Sequence, residues 1–191
     1  ALSLTFDFDE TPISFPSSIP GRDFIAYEGD KQFSQEIQFT GNLDWVNFVT
    51  GLYYFYDDVD PAYFWLGLNI GVPSAPFVVP VRLGGTTVTD AYAVFGQATF
   101  DLTDQLHLTA GVRYSFERRG STSHEEVPLF GVIVNDRKSA SFNDLSPKFG
   151  LDYQWTDQLM TYITIGKGFQ SGGFDISAQP PLVEFKPELV W

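Results

Sequence analysis

Cysteine is absent from the 191 residues, which excludes disulfide scaffolds and thiolate metal sites but fixes no compartment. Basic residues are scarce. Eleven Lys and Arg stand against 24 Asp and Glu, for a formal net charge of −13. That balance argues against a nucleic-acid partner, because phosphate contacts need clustered Lys and Arg. All charged residues together make up 18% of the chain, below the roughly 25% of an ordinary soluble domain. No window holds the ~20 consecutive apolar residues of a membrane-spanning helix. The opening ALSLTFDFDE shows no basic stretch followed by an apolar block, so no signal peptide is visible; it has been removed, or the sequence starts mid-gene.

What the chain does have is aromatic rings: 17% of the residues, with 19 Phe and 9 Tyr. Mean hydropathy is nevertheless −0.06, so apolar residues are interleaved with polar ones. The interleaving has a period of two. In LHLTAGVRYSFE, Leu106, Leu108, Ala110, Val112, Tyr114 and Phe116 alternate with His107, Thr109, Gly111, Arg113, Ser115 and Glu117. Successive side chains of a strand point to opposite faces, so this segment is a strand between an apolar and a polar environment.

The strand before it, 92–100, carries Tyr92, Val94, Ala98 and Phe100 against Gln97 and Thr99, and the short polar stretch 101–105 joins the two. The same unit recurs downstream. Pro147, Phe149, Leu151, Tyr153 and Trp155 alternate with Lys148, Gly150, Asp152 and Gln154, and Thr156-Asp157-Gln158 leads into Met160, Tyr162, Thr164 and Gly166. It recurs upstream, where Phe33, Ile37 and Phe39 oppose Ser34, Glu36 and Gln38, with Gly41-Asn42 before a strand from Leu43. Strands are expected at about 1–9, 32–41, 43–57, 88–101, 105–118, 142–155, 158–169 and 186–191. Longer polar loops are expected at about 10–31, 58–87, 119–141 and 170–185. Short turns and long loops thus alternate, as in outer-membrane barrels with short periplasmic and long extracellular connections.

A soluble β-sandwich also alternates, so the apolar face must decide. The outward positions carry no Lys, Arg, Asp or Glu, and a Lys or Arg facing lipid at mid-depth costs ~2–4 kcal/mol. Tyr92, Phe100, Tyr114, Phe116, Tyr153, Trp155 and Tyr162 lie mostly near strand ends on that face, where girdles of rings suit the headgroup boundary. Two strands are less clean. Leu43–Tyr56 is apolar on both faces, and Ile163 and Ile165 oppose Tyr162; inward apolar groups are natural where something packs inside a barrel. The expected fold is therefore an all-β, transmembrane antiparallel β-barrel, present in part.

Tyr92–Arg119 (YAVFGQATFDLTDQLHLTAGVRYSFERR) and Leu145–Phe174 (LSPKFGLDYQWTDQLMTYITIGKGFQSGGF) resemble the barrel of TonB-dependent receptors. So do FSQEIQFTG and WVNFVTGLYYF, between Phe33 and Phe55. Ser146-Pro147-Lys148, Gly168-Phe169 with Gly172-Gly173-Phe174, and Phe185-Lys186-Pro187-Glu188 are the most distinctive words. The resemblance implies a barrel of about 22 strands closed by an N-terminal plug. It further implies binding of siderophores, cobalamin or other large nutrients from outside, with energy passed by the TonB protein through a motif ahead of the plug. Residues 1–191 would be one partial barrel domain, with plug and coupling segment absent and truncation after the FKPE word rather than a native C-terminus at Trp191. A bacterial outer-membrane location, lipid contact, and a ferric siderophore as ligand follow from the same likeness. A complete eight-stranded barrel with a structural or adhesive role and a soluble sandwich such as a carbohydrate-binding module are the alternatives.

Candidate residues fall into two groups. Glu36, Gln38, Gln97, Arg113, Glu117, Lys148, Asp152 and Lys167 are polar residues expected to face the lumen, to line a path or contact a plug, or to pair with one another and with water. Tyr63, Phe64 and Trp65, expected on a long outer loop, are candidates to stack on a ligand or to pack down. His124-Glu125-Glu126 matches no metal-ligand spacing. No Ser-His-Asp arrangement, phosphate-binding glycine loop or helix-borne carboxylate pair stands out, so neither enzyme chemistry nor a cofactor is expected.

Overall fold

A computed structural model of the chain describes residues 13–16, 23–69, 78–176 and 180–191. Seven strands form one antiparallel sheet in which sequence neighbours are spatial neighbours: β1 Ile13–Pro16, β2 Asp23–Leu43, β3 Val46–Asn69, β4 Val78–Asp101, β5 Leu106–Val127, β6 Val132–Thr156 and β7 Leu159–Gly166. Four short strands follow: β8 Gly168–Gln170, β9 Gly173–Asp175, β10 Val183–Phe185 and β11 Glu188–Val190. β8 pairs with β11 and β9 with β10, continuing the meander past β7. Among the described residues no second sheet lies against the apolar side of the first, and Val112 and Phe149 there remain 46% and 54% exposed. That overturns the sandwich alternative.

At one end the strands are joined by tight turns at 102–105 and 157–158, as expected, and at 44–45, where the turn expected at Gly41-Asn42 moves on because Gly41, Asn42 and Leu43 pair within the β2–β3 ladder. At the other end the structure departs from expectation. The loops expected at 58–87 and 119–141 are for the most part strand, because β3 runs on to Asn69, β4 begins at Val78, and β5 and β6 meet across a single 3-10 turn at Pro128–Phe130. The physical reason is that a backbone ladder needs no apolar face once it has left the membrane. Hydroxyl pairs take over there, with Thr86 Oγ1 and Thr122 Oγ1 2.7 Å apart and Thr87 Oγ1 and Ser121 Oγ 3.0 Å apart. Pro80 sits inside β4, opposite Gly67 of β3, beyond the point at which the β4–β5 ladder ends, so its missing N–H breaks nothing. The loop expected at 10–31 likewise holds β1 and the start of β2, whereas the strand expected at 1–9 lies outside the described residues.

Register assigns every side chain of β2–β7 to a face. Leu43, Val46, Phe100, Leu108, Leu151 and Ile163 form one cross-strand row. Gln35, Tyr54, Tyr92, Phe116 and Asn143 form another on the same face. Between and including these rows the face carries no charged residue; the next row outward brings Asp90 and Arg118. From Val46 to Tyr54 is eight residue steps, about 26 Å along the strand at ~3.3 Å per step. Tilted by ~35–45°, that length rises about 19–22 Å, somewhat less than the ~25 Å apolar band of outer-membrane barrels. Strands of 21 to 25 residues therefore carry roughly half their length beyond it.

One face assignment is corrected. Phe149 pairs with Ile165 and Leu151 with Ile163, so on β7 the isoleucines lie on the apolar face. Tyr162, Thr164 and Gly166, opposite Asp152, Gly150 and Lys148, lie on the polar one. Tyr162 accordingly leaves the girdle. An eight-residue strand with apolar groups on both faces offered no contrast from which its phase could be read.

A small packed core lies elsewhere, on the inner face of the outward-projecting ends. Val79, Val81, Leu83, Phe142, Phe174 and Leu182 are buried there with Thr89, Ser121 and Ser123. Residues 171–176 and 180–182, within the loop expected at 170–185, lie over this face. The Leu182 N–H donates to Asp136 Oδ2 at 2.8 Å, and Lys138 Nζ donates to the Leu182 carbonyl at 2.6 Å. Glycine is required at two contacts. A Cβ on Gly85 would lie 2.1 Å from the Thr122 carbonyl oxygen and 3.0 Å from the Ile176 Cβ, and one on Gly172 would lie 2.5 Å from the Phe185 carbonyl oxygen.

Candidate functional site

The polar face carries the eight lumen candidates at successive heights. Lowest is Asp152, between His107 and Tyr162 in the ladder. His107 Nδ1 and Asp101 Oδ1 are 2.6 Å apart beside it. Two rows up, past Thr99, Thr109 and Gly150, Gln97 and Lys148 flank Gly111 on either side. With no side chain between them, Lys148 Nζ reaches Gln97 Oε1 at 3.5 Å. Next comes the row of Gln38, Gly51, Phe95, Arg113 and Ser146. The Arg113 guanidinium sits 5.3 Å from the centre of the Tyr53 ring and 5.8 Å from that of Phe95, and its Nε donates to Ser115 Oγ at 3.1 Å. Gln38 Nε2 donates to Glu36 Oε1 in the row above.

Lys167 follows the last residue of β7, and its ammonium pairs with Asp144 Oδ1 while also donating to the Leu145 carbonyl at 3.2 Å. Asp144 is buried at 8% exposure and accepts a further bond from Ser146 Oγ at 2.8 Å. Glu117 is held from two sides, by Arg119 Nη2 at 2.6 Å and by Ser171 Oγ at 2.6 Å. A Cβ on Gly173 would meet Arg119 Nη1 at 2.5 Å, so the backbone of the inward segment lies against this ion pair.

Asp57 lies above the apolar band, in the row of Gln32 and Thr89. Burial, then the hydrogen-bonded carboxyl of Asp30, push its acid group up to about 7, against the opposing pull of Gln32 and Arg119. Two carboxyls sharing a desolvated spot cannot both ionise cheaply, so one proton is retained close to neutral pH.

The eight candidates thus share one face but not one point. They form a column of paired charges and aromatic-stacked cations, and among the described residues no group of three metal-ligating side chains is present. Tyr63, Phe64 and Trp65 are corrected from loop to strand: they lie in β3, opposite Gly84, Leu83 and Arg82. Asp144, Arg119 and Asp57 were missed. Extending the period of two from Lys148 back through Ser146 reaches Asp144, and from Glu117 forward reaches Arg119; Arg119 opens the loop expected at 119–141, whereas Asp144 and Asp57 lie within the strands expected at 142–155 and 43–57.

The model for the TonB dependent receptor-like β-barrel matches residues 2–191. The chain belongs to the TonB-dependent receptor family, within its barrel part. Members of that family are transport receptors. Among curated proteins the chain is similar to the pesticin receptor of Yersinia enterocolitica, 23% identical over 105 residues. The pesticin receptor of Yersinia pestis is 22% identical over the same length. Each match covers 55% of this chain and 15% of the relative, so the chain spans a small share of those receptors. The crystal structure of the ferric yersiniabactin uptake receptor from Yersinia pestis superposes with a TM-score of 0.77 at 20% identity, over 93% of this chain and 27% of that one. The open sheet is therefore an arc of a transmembrane barrel of the TonB-dependent type, with short turns at one end and long hairpins at the other.

Proposed function

We propose that this chain is part of the wall of a bacterial outer-membrane receptor that imports a scarce nutrient, a ferric siderophore, in a cycle driven through TonB. The observation that carries the reading is the charge-free outer band, bounded at its outward end by the rings of Tyr54, Tyr92 and Phe116, on a chain of this family. The names of its relatives, one a ferric yersiniabactin uptake receptor, support a siderophore as the substrate class. In this reading the plug and the TonB-binding segment belong to another part of the gene product. Tyr53, Phe55 and Phe95, apolar residues on the lumen face, give a plug something to pack against. The column from Asp152 to Glu117 lines the wall beside it, with Lys167 and Glu117 held in ion pairs and Glu36, Lys148 and Arg113 set against neutral or aromatic neighbours. Tyr63, Phe64 and Trp65, high on β3, belong to the outer mouth where a ligand first arrives.

Uptake of radiolabelled iron supplied on a panel of siderophores tests the proposal in cells carrying or lacking the full-length gene. Accumulation with at least one siderophore, lost both on deletion of the gene and on loss of TonB, is the expected result. Iron uptake unaffected by either loss contradicts it.

A further inference from the structure

Above the apolar band, the polar face of β2–β5 gathers three acids and an arginine whose contacts lead to the segment after β8. Gln32, Asp57, Thr89 and Arg119 form one cross-strand row, with Asp30 in the next row outward and Glu117 in the next row towards the band. Asp30 and Asp57 are hydrogen-bonded to each other, which two carboxyls can be only with a proton between them. Gln32 Nε2 donates to Asp30 Oδ2 at 2.8 Å. Glu117 Oε1 accepts from Arg119 Nη2 and from Ser171 Oγ, both at 2.6 Å. Ser171–Ile176, which holds β9, is thereby fastened to the wall. Gly173 lies against the Arg119 guanidinium, and Phe174 is buried in the small core. Asp30 Oδ1, Asp57 Oδ1 and Arg119 Nε are buried with no hydrogen-bond partner among the described residues.

The other groups around the pair leave Arg119 as the cation shared between it and the segment. Thr89, between Asp57 and Arg119, is neutral and buried. Lys138, in the row of Asp30, is turned to the Leu182 carbonyl, and Asp175 is the segment's own charge. Lys31, Asp58, Asp90 and Arg118 stand on the opposite face of the sheet. We propose that Ser171–Ile176 is a proton-controlled strap at the mouth of the barrel. It is closed while Asp30 and Asp57 share a proton, and it is released as that proton leaves to water and Arg119 turns from Glu117 and Ser171 to the ionised Asp57. The sign follows from burial, which holds the Asp57 acid group up at about 7 in the closed state, whereas solvation on release returns it towards the ordinary carboxylate range. The closed state therefore binds the extra proton between those limits. Release becomes easier as pH rises through them and levels off above the closed-state value. The inference rests on the receptor reading above only in placing the strap at the outer mouth; it adds a regulation of that mouth.

Hydrogen exchange of residues 168–176 in the full-length receptor in bilayers reads the strap directly, once each rate is divided by its intrinsic value at that pH. Protection of β9 should fall about ten-fold between about pH 6 and about pH 8, while that of β6 and β7 within the apolar band stays constant. Asp57→Asn, which keeps the shape of the protonated acid, should hold the strap equally protected at both pH values. Asp30→Asn, which leaves a single carboxyl, should move the fall to lower pH, and it stands as the test if the first variant does not fold. Equal protection at the two pH values in the unsubstituted receptor overturns the proposal. So does a fall that survives Asp57→Asn, or one that Asp30→Asn leaves in place. No ligand enters the readout, so failure here is separable from failure of the import reading. Flat protection beside TonB-dependent iron uptake removes the strap alone; uptake indifferent to TonB removes the import reading and leaves the strap's response to pH standing.

Discussion

Where β6 crosses the lumen face, Asp144 and Lys167 are 8% and 17% exposed at their side chains, and each is the other's ionic partner. The cost of burying either charge is met by that contact, by Ser146 and by the Leu145 carbonyl. Removing one charge leaves the other stranded, an effect of about 3–5 kcal/mol when a buried pair is broken. Lys167→Met is therefore expected to lower the unfolding free energy of the refolded full-length protein by about that amount. The double variant Lys167→Met/Asp144→Leu should recover most of the loss, as read by urea titration in lipid vesicles. The same contact shows what sequence pattern does and does not convey. Lys167 was recognisable as a lumen candidate from its place after an alternating strand. Its partner was not, because the carboxylate is 23 positions away and only the register of β6 on β7 brings the two together.

Among the elements, the strands around the three short turns were legible because each alternates cleanly, an apolar row against a polar one. β5 is the clearest, and its two neighbours follow from it. β7 was legible as a strand but not in phase. Threonine and tyrosine on one side and isoleucine on the other are all good strand formers, so only pairing with β6 could set its face. That phase has a direct consequence. Ile163→Arg places a guanidinium on the lipid side and is expected to cost about 2–4 kcal/mol of folding stability in vesicles, whereas Thr164→Arg, on the lumen side, should change it by less than about 1 kcal/mol. The outward hairpins were illegible for a different reason. Beyond the apolar band, ladder hydrogen bonds and Thr/Ser pairs hold β4 to β5 and only the short run Val79, Val81 and Leu83 marks an apolar face, so 58–69, 78–87 and most of 119–141 have the composition of loops and the structure of strands. The inward placement of 171–176 and 180–182 was also hidden, since it depends on Gly85, Gly172 and Gly173 allowing close approach to residues distant in sequence.

At the scale of the whole molecule, one asymmetry organises the rest. One side of the sheet is free of charge between the row of Leu108 and the row of Tyr92, and the other carries the polar column. The band determines which way each strand faces. A nitroxide moved one residue at a time from Leu106 to Glu117 in the full-length protein in bilayers measures this asymmetry directly. Collision rates with oxygen, which concentrates in hydrocarbon, should peak at Leu108, Ala110, Val112 and Tyr114 and fall at His107, Thr109, Gly111 and Arg113. A water-soluble nickel chelate should show the opposite phase wherever it reaches the lumen. Oxygen collision rates that are uniformly low along the whole strand, with no period of two, would contradict the account.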